Sequence, residues 1–302
     1  MSVVVRAAAV AALMLVSSAP ALAVEPGGVI PWGWGSYGQT TVPPSVADGV
    51  TAMSAGSLNG LALKNGGVIA WGDNNYGQLA VPAAAASGVT AIAAGWGHEL
   101  ALKNGAVLAW GNNWYGQSNV PSAATSGVTS ISTSVFHNLA VKGGRVLSWG
   151  SRTDVPAAAL SGVSTVSAGG DHSLALKGGT VLAWGTNASG QTNVPADALS
   201  GVTAISAGYK HSLALKNGGV IAWGDNKYGQ RDVPDEAKSD VVAIDAGWNY
   251  NLVLKSDGSM VSWGSNESNE RDPADGVCAP ILALAAGERL SLALITPGQP
   301  CP

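Results

Sequence analysis

The chain has 302 residues, of which only 11% are charged, and its formal net charge is −4 at pH 7. A nucleic-acid-binding surface requires a basic stripe, and this sequence has none, so we expect no nucleic-acid partner. Because the chain contains a single Phe, its core must consist mainly of Ala, Val, Leu, Gly and a recurrent Trp, which suits thin and closely packed sheets.

The first 23 residues have the pattern of a secretory signal peptide. Arg6 gives a positive start, residues 7–16 are apolar, and residues 21–23 form a small-x-small cleavage site. We therefore expect a secreted mature protein of residues 24–302 that folds as one domain. Since no apolar stretch reaches the ~18–20 residues that span a bilayer, no membrane insertion is expected. A core helix is the alternative, but the repeats begin only at about Gly27.

A seven-residue signature built on Trp-Gly recurs seven times, with successive intervals of 39, 39, 39, 35, 39 and 40 residues. The Trp residues are Trp32, Trp71, Trp110, Trp149, Trp184, Trp223 and Trp263. Repetition at this period indicates a solenoid, an array or a propeller. We expect the shared residues, including each Trp, to form the scaffold between units, and function to lie where the copies differ.

Each unit predicts three strands, which in the fifth copy are residues 202–207, 212–216 and 219–223. Larger and smaller side chains alternate there with the period of two that a strand requires. Asn217-Gly218 predicts a type I′ turn, because both central positions of that turn need positive φ. The same turn is expected at Asn65-Gly66, Asn104-Gly105, Gly143-Gly144, Gly178-Gly179 and Asp257-Gly258. The Ala-rich runs 83–86 and 157–160 predict a bend or a single helical turn.

A three-stranded unit cannot bury both faces alone, so its neighbours must stack on it. The predicted fold is all-β: a seven-bladed β-propeller of mostly three-stranded antiparallel blades, since closure removes exposed sheet edges. Residues 28–32 form a strand without a preceding partner, and residues 291–295 lack a following one. The N-terminal strand should therefore complete the last blade and close the ring.

Two loops in each unit vary, and the chain direction predicts that both open at one end of the ring. One lies just before the His position, and the other precedes the Gly-Gln pair. Aromatic and Arg side chains dominate protein-interface hot spots. The candidate partner-binding residues are Tyr37, Tyr76, Trp96, Trp114, Tyr115, Phe136, Asp171, Tyr209, Lys210, Tyr228, Trp248 and Arg289. For the four Tyr residues that recur at one phase, Tyr37, Tyr76, Tyr115 and Tyr228, the alternative is that they cover blade junctions.

The motifs that resemble catalytic or metal sites do not predict chemistry. His98, His137, His172 and His211 share one repeat phase and lie a blade apart, which favours structural hydrogen bonds over a zinc site. Residues 33–38 match a dinucleotide fingerprint only by letter, because a Val-Pro turn follows instead of a helix. Residues 171–173 read Asp-His-Ser, but neighbours in a strand point to opposite faces. We expect no metal, no cofactor and no enzymatic activity.

The two cysteines, Cys278 and Cys301, lie in the last unit and the tail. In an exported protein we expect them to form a disulfide that pins the tail. A free reactive pair is the alternative.

The repeated patterns Trp-Gly-x-Asn-x-Tyr-Gly-Gln and Ala-Gly-x-x-His-Ser-Leu-Ala-Leu resemble the regulator-of-chromosome-condensation repeat. With Val-Ile-Ala-Trp-Gly-Asp-Asn, Val-Pro-x-x-Ala-x-Ser-Gly-Val and Leu-Ala-Leu-Lys-Asn-Gly, the chain from Gly28 to Ile295 is similar to the secreted bacterial β-lactamase inhibitory protein II family. This resemblance implies a seven-bladed propeller of three-stranded blades. It also implies inhibition of class A β-lactamases, with one loop-bearing end of the ring covering the substrate cleft.

Two departures from that family leave the target open. The fourth unit lacks four residues between Trp149 and Pro156, so residues 152–154 replace a whole loop, whereas the resembled family shortens its last blade. Units one, four and seven have no aromatic residue in the first variable loop. We predict a secreted, monomeric, non-enzymatic protein that caps a class A β-lactamase or a related serine acyl-enzyme. The alternative is a cell-envelope or carbohydrate-binding module, because exposed rings also stack on sugars; an enzyme comes third.

Overall fold

The structure, a computed structural model, describes residues 27–273, 277 and 280–296. Within these ranges the chain forms twenty-one β-strands and six short 3-10 helices. No helix in this part of the chain has the length and apolar character needed to cross a bilayer. The predicted signal peptide and both cysteines, Cys278 and Cys301, lie outside the described residues.

The strands form seven three-stranded antiparallel sheets, which we number as blades 1 to 7. Blades 1 to 3 contain β2 (Val50–Ala55), β3 (Asn59–Lys64) and β4 (Gly67–Gly72); β5 (Val89–Ala94), β6 (His98–Lys103) and β7 (Ala106–Gly111); and β8 (Val128–Thr133), β9 (His137–Lys142) and β10 (Arg145–Gly150). Blades 4 to 6 contain β11 (Val163–Ala168), β12 (His172–Lys177) and β13 (Thr180–Gly185); β14 (Val202–Ala207), β15 (His211–Lys216) and β16 (Gly219–Gly224); and β17 (Val241–Ala246), β18 (Tyr250–Lys255) and β19 (Met260–Gly264). Blade 7 contains β20 (Ile281–Ala286), β21 (Leu290–Ile295) and β1 (Gly28–Gly33).

The ring closes as predicted, because the N-terminal strand completes the last blade. β1 pairs antiparallel with β21 in a register that runs from Gly28 opposite Ile295 to Gly33 opposite Leu290. A strand from one end of the described chain therefore supplies the outer edge of a sheet built at the other end. This confirms the predicted seven-bladed propeller closed by its N-terminal strand.

The turn between the second and third strands follows the prediction in five blades and departs from it in blade 6. Asn217 and Gly218 have φ of 51° and 75°, as a type I′ turn requires. In blade 6 the backbone N–H of Lys255 donates to Ser259 O at 2.8 Å, so three residues form the loop. Of these three, Gly258 alone has positive φ, at 83°. The prediction of a two-residue turn at Asp257-Gly258 is therefore wrong, because the extra residue lets one glycine make the reversal.

The core lies between the blades. Each apolar cluster combines residues of two neighbouring sheets; for example, Leu61 and Leu63 of blade 1 pack with Ala101 and Trp110 of blade 2. Six of the seven repeated Trp side chains are buried, and each donates its indole N–H to a main-chain carbonyl of the preceding unit, as Trp110 Nε1 does to Gln78 O at 2.9 Å. Burial of this apolar surface makes each blade depend on its neighbours.

The first strand of every blade lines a central channel of about 390 Å³. The six 3-10 helices lie at the end of the ring where the first strands begin. They are Pro44–Val46, Ala83–Ala86, Ser122–Ala124, Ala157–Leu160, Ala196–Leu199 and Asp235–Ala237. The two Ala-rich runs thus form the predicted helical turns. At that end a repeated Lys donates to a carbonyl of the adjacent 3-10 helix, as Lys103 Nζ does to Ala84 O at 2.7 Å.

Candidate functional site

Both variable loops of every blade lie at the same end of the ring, which we call the loop face. The inner loops join the first and second strands, at residues 56–58, 95–97, 134–136, 169–171, 208–210, 247–249 and 287–289. The outer loops follow the third strands. In each blade the first residue of the outer loop donates its N–H to a carbonyl of the inner loop, as Asp73 does to Leu58 O at 2.9 Å. The two loops of each blade therefore lie at one end of the ring, as predicted, and main-chain hydrogen bonds hold them together.

Main-chain hydrogen bonds also tie the inner loops into a ring around the mouth of the channel. The N–H of Trp96 donates to Ser134 O at 3.1 Å, and the ring closes where Glu288 N–H donates to Gly56 O at 3.3 Å. In blade 3, Ser134 Oγ takes over by donating to Gly169 O. Because each inner loop is held by the next, the loop face is fixed before any partner arrives.

Aromatic side chains from three neighbouring blades form one continuous chain of rings on the loop face. Tyr76 lies between Trp114 and Trp96, with ring centroids 5.1 and 5.2 Å away. Trp96 then meets Phe136 at 6.0 Å, and Phe136 meets Tyr115 at 4.9 Å. We call these five residues the aromatic chain. The structure thus joins five predicted partner-binding residues into a single surface.

Three smaller groups complete the loop face. In blades 5 and 6 the rings of Tyr209 and Trp248 lie 4.4 Å apart, with Lys210 Nζ 5.3 Å from the Tyr209 ring. Separately, Lys227 Nζ lies 5.0 Å from the ring of Tyr228.

At blade 7 the guanidinium of Arg289 lies 5.0 Å from the ring of Trp34, which packs edge-on against Tyr37 at 5.4 Å. Sequence reasoning missed Trp34, although its position is informative: it directly follows a Trp-Gly pair, where the other units have Asp, Asn, Ser or Thr.

Exposure separates the aromatic residues into two sets. Trp114, Tyr115 and Tyr37 are 69%, 52% and 45% exposed, whereas Tyr76, Trp96, Phe136, Tyr209, Tyr228 and Trp248 are partly buried. The recurrent Tyr residues therefore do not share one environment. Tyr115 and Tyr37 project into solvent, and Tyr76 packs between two Trp rings.

A buried Gln, or Glu270 in blade 6, holds the tip of each full-length outer loop. Gln117 Oε1 accepts the N–H of Tyr115 at 2.8 Å, and Gln117 O accepts the indole N–H of Trp149 at 3.0 Å. The side chain of Tyr115 takes no part in these bonds. This arrangement explains why Gly-Gln recurs beside a variable aromatic residue: the Gln positions the loop, and the side chain before it is free to differ.

The outer loop of blade 3 breaks this pattern. It is the shortened segment after Trp149 that the sequence places in the fourth unit. Residues 151–154 contain no Gln, and within the described residues Trp184 Nε1 has no hydrogen-bond acceptor and Trp184 is only partly buried. Arg152 occupies the loop instead: its Nη2 donates to Thr186 Oγ1 at 2.5 Å and lies 3.9 Å from Asp171 Oδ1. The predicted candidate Asp171 thus belongs to a charged group at the blade 3–4 seam.

The four histidines make buried hydrogen bonds between successive blades, from blade 2 to blade 6. His98 Nε2 lies 2.8 Å from Asn138 Oδ1, and His211 Nε2 lies 2.8 Å from Asn251 Oδ1 of the next blade. Burial lowers the pKa of His98 and His211 to about 4, because charging an imidazole away from water is unfavourable. His137 and His172 make equivalent contacts, and burial lowers their pKa values to about 4 and about 3. This geometry supports the structural interpretation.

In other blades the same position carries Asn59, Tyr250 and Leu290, and sequence reasoning missed the buried Glu99 beside Asn59. In blade 1, Asn59 Nδ2 donates to Glu99 Oε1 at 2.8 Å. Glu99 is fully buried, its Oε2 has no hydrogen-bond partner within the described residues, and burial raises the pKa of its carboxyl. In blade 6 the Tyr250 hydroxyl lies 2.8 Å from Ser291 Oγ. Among the described residues, no group of three His, Cys, Asp or Glu side chains could hold a metal.

Glycines precede these rings because the rings need the space. A Cβ added to Gly208 would lie 2.2 Å from His211 Cε1, and one added to Gly247 would lie 2.3 Å from Tyr250 Cε1. The recurrent Ala-Gly pair is therefore part of the scaffold that sets the inner loops.

Comparisons with known proteins agree with this architecture. The regulator of chromosome condensation (RCC1) repeat matches residues 50–78, 163–191, 202–230 and 241–270. Prp20p from Saccharomyces cerevisiae superposes with a TM-score of 0.75 at 19% identity, covering 90% of this chain and 92% of Prp20p.

Two further solved structures share the architecture. Human WBSCR16 gives a TM-score of 0.71 at 17% identity, with 90% and 100% of the two chains covered. The ectodomain of the Physcomitrella patens receptor kinase CR4 gives 0.64 at 23% identity, with 83% and 72% covered. No curated protein sequence matches the chain significantly. At these identities the structural likeness concerns the fold: the chain forms an RCC1-like seven-bladed propeller, and four of its segments match the RCC1 repeat.

Proposed function

We propose that this chain is a secreted, non-enzymatic propeller that binds a protein through its loop face. The further proposal is that the partner is a class A β-lactamase, or a related serine acyl-enzyme, whose active-site cleft the loop face covers. The observation that carries protein binding is the aromatic chain, in which five rings from three blades form one continuous surface. The β-lactamase proposal rests on the resemblance of the repeat patterns to the inhibitor family.

The shape of the loop face favours a protein partner over a glycan. A sugar-binding site concentrates its rings in one groove, whereas here the rings spread over blades 1 to 3, 5, 6 and 7 around the channel mouth. Exposed Trp114 and Tyr115 lie beside partly buried rings, as the anchors and surroundings of a protein hot spot do. Among the solved structures, yeast RCC1 (Prp20) has been seen bound to Kap60, a protein partner.

The rigidity of the loop face supports occlusion as the mechanism. The inner loops are joined by a closed ring of hydrogen bonds, all between main-chain groups except the one from Ser134 Oγ. A buried Gln or Glu side chain holds each full-length outer loop. A surface that is already ordered loses little entropy on binding. Such a face can cover a cleft without inserting a reactive group into it, so no catalytic residue is needed on this chain.

The test is an inhibition and binding assay with purified mature protein, residues 24–302, against a panel of class A β-lactamases. We expect Trp96→Ala, Phe136→Ala and Trp248→Ala each to weaken binding by about 2 kcal/mol, or about thirtyfold, as loss of a hot-spot anchor does. The change should appear mainly in the dissociation rate, since the weakly charged chain provides little electrostatic steering.

Leu199→Ala is the matched control, because Leu199 is 50% exposed but lies in a 3-10 helix at the opposite end of the ring. It should leave the affinity unchanged. Absence of inhibition across the panel at micromolar protein would end the β-lactamase proposal. Binding to cell-wall glycan in place of any protein would favour the carbohydrate alternative.

A further inference from the structure

The shortened outer loop of blade 3 leaves a recess in the loop face. Four residues, 151–154, separate the end of β10 from Val155, whereas eight residues, 73–80, separate the end of β4 from Val81 in blade 1. The missing residues open a depression of about 450 Å³. We call it the blade-3 recess; its walls include Tyr115, Phe136, Arg152, Asp154 and Asp171.

The walls of the blade-3 recess combine aromatic rings with carboxylates. Tyr115 is 52% exposed, and its ring lies 4.9 Å from that of Phe136. Asp154 is exposed, and the Asp171 side chain is 51% exposed. On this side of the ring the aromatic chain therefore ends against two acidic groups.

Among the described residues that line the blade-3 recess, the one cation, Arg152, is turned inward. The Arg152 side chain is 26% exposed, and its Nη2 donates to Thr186 Oγ1 and lies 3.9 Å from Asp171 Oδ1. Arg152 thus offsets at most one of the two carboxylates, which leaves the recess with a formal charge of −1. An anionic group entering it would meet exposed carboxylates and would be repelled.

We infer that the blade-3 recess receives an Arg or Lys side chain of the protein partner. This inference rests on the proposed protein-binding function and names the chemistry that the partner presents there. A cation over the Tyr115 or Phe136 ring gains from the ring quadrupole, and Asp154 and Asp171 supply acceptors for its N–H groups. The planar guanidinium suits both the ring face and a carboxylate, so Arg should bind better than Lys.

A small probe separates this inference from the identity of the partner. The mature protein, labelled for NMR, is titrated with N-acetyl-arginine amide, and its neutral isostere N-acetyl-citrulline amide serves as the matched ligand control. We expect saturable chemical-shift changes at Phe136, Asp154 and Asp171 with the arginine probe. The citrulline probe should bind about fivefold more weakly or worse, since a fivefold change in affinity corresponds to about 1 kcal/mol, the size of an exposed cation–π contact.

Two variants locate the site. The double variant Asp154→Asn and Asp171→Asn should bind the arginine probe more weakly by about the same factor. Asp197→Asn, at the opposite end of the ring, should leave the affinity for the probe unchanged. Equal binding of the two probes, shifts confined to other blades, or no effect of the double variant would overturn the inference. So would the absence of any shift.

The two proposals can fail separately. Arginine binding in the recess with no β-lactamase inhibited would leave this inference standing and end the β-lactamase proposal. Inhibition of a β-lactamase that is unchanged in the double variant, with no arginine binding, would end this inference and leave the β-lactamase proposal standing.

Discussion

Replacing His98 by Asn tests whether the buried histidines make the propeller sensitive to acid. His98 is fully buried, and its Nε2 lies 2.8 Å from Asn138 Oδ1. Asn59 occupies the same position in blade 1, so the scaffold already accepts Asn there. The substitution removes a titrating group while keeping a side chain that can donate a hydrogen bond.

The magnitude follows from the difference between the pKa of the histidine in the folded and unfolded states. Burial lowers the folded pKa of His98 to about 4, whereas the unfolded chain has a pKa of about 6.5. The stabilising contribution is therefore complete above pH ~6.5 and is lost as the pH falls towards ~4. At pH ~5 the unfolded state binds the proton and the folded state does not, which costs the wild type about 2 kcal/mol.

The assay is urea unfolding of wild type and His98→Asn, followed by far-UV circular dichroism at pH ~7.5 and ~5. At pH ~7.5 the two proteins differ only by packing, because neither titrates there. Between the two pH values the wild type should lose about 2 kcal/mol more than the variant.

His211→Asn, three blades away, should behave alike, and the double variant should show both effects added. If the wild type and His98→Asn differ by the same free energy at both pH values, His98 does not titrate as a buried base and the reasoning fails.

Three other perturbations test the scaffold. Deleting residues 24–33 removes β1, which exposes the edge of β21 and the core around Trp32; the melting temperature should fall sharply, and an unchanged value would contradict closure. Glu99→Gln should raise the free energy of unfolding at pH ~7.5 by about 1–3 kcal/mol. The reason is that burial raises the pKa of the Glu99 carboxyl, so the wild-type fold becomes less stable as the pH rises above ~4.5. Equal stabilisation at pH ~4 would argue against ionisation as the cause. Cys278 and Cys301 should form a disulfide in the exported protein, and mass spectrometry that finds both alkylated without reduction would show otherwise.

The sequence by itself determined the number of blades, their strands and the closure of the ring. These features follow from local signals that repeat: Trp-Gly at a period near 39 residues, alternation within strands, and glycine-containing turns such as Asn217-Gly218. Hairpin turns depend on the φ angles of adjacent residues, which residue type dictates. The same local reasoning failed at Asp257-Gly258. The residue types of this pair suit a type I′ turn, but one added residue makes the loop three residues long and changes the turn type.

Only the tertiary structure decided which side chains meet on the loop face. Tyr76 and Trp96 come together because the rotation from blade 1 to blade 2 brings an outer loop beside the next inner loop. Arg289 reaches Trp34 only because the ring closes. The burial of Glu99 and the charge of the blade-3 recess likewise depend on neighbours from another blade. A repeat specifies what each blade contains, but contacts between blades depend on their packing angle and on side-chain rotamers, which no local pattern encodes.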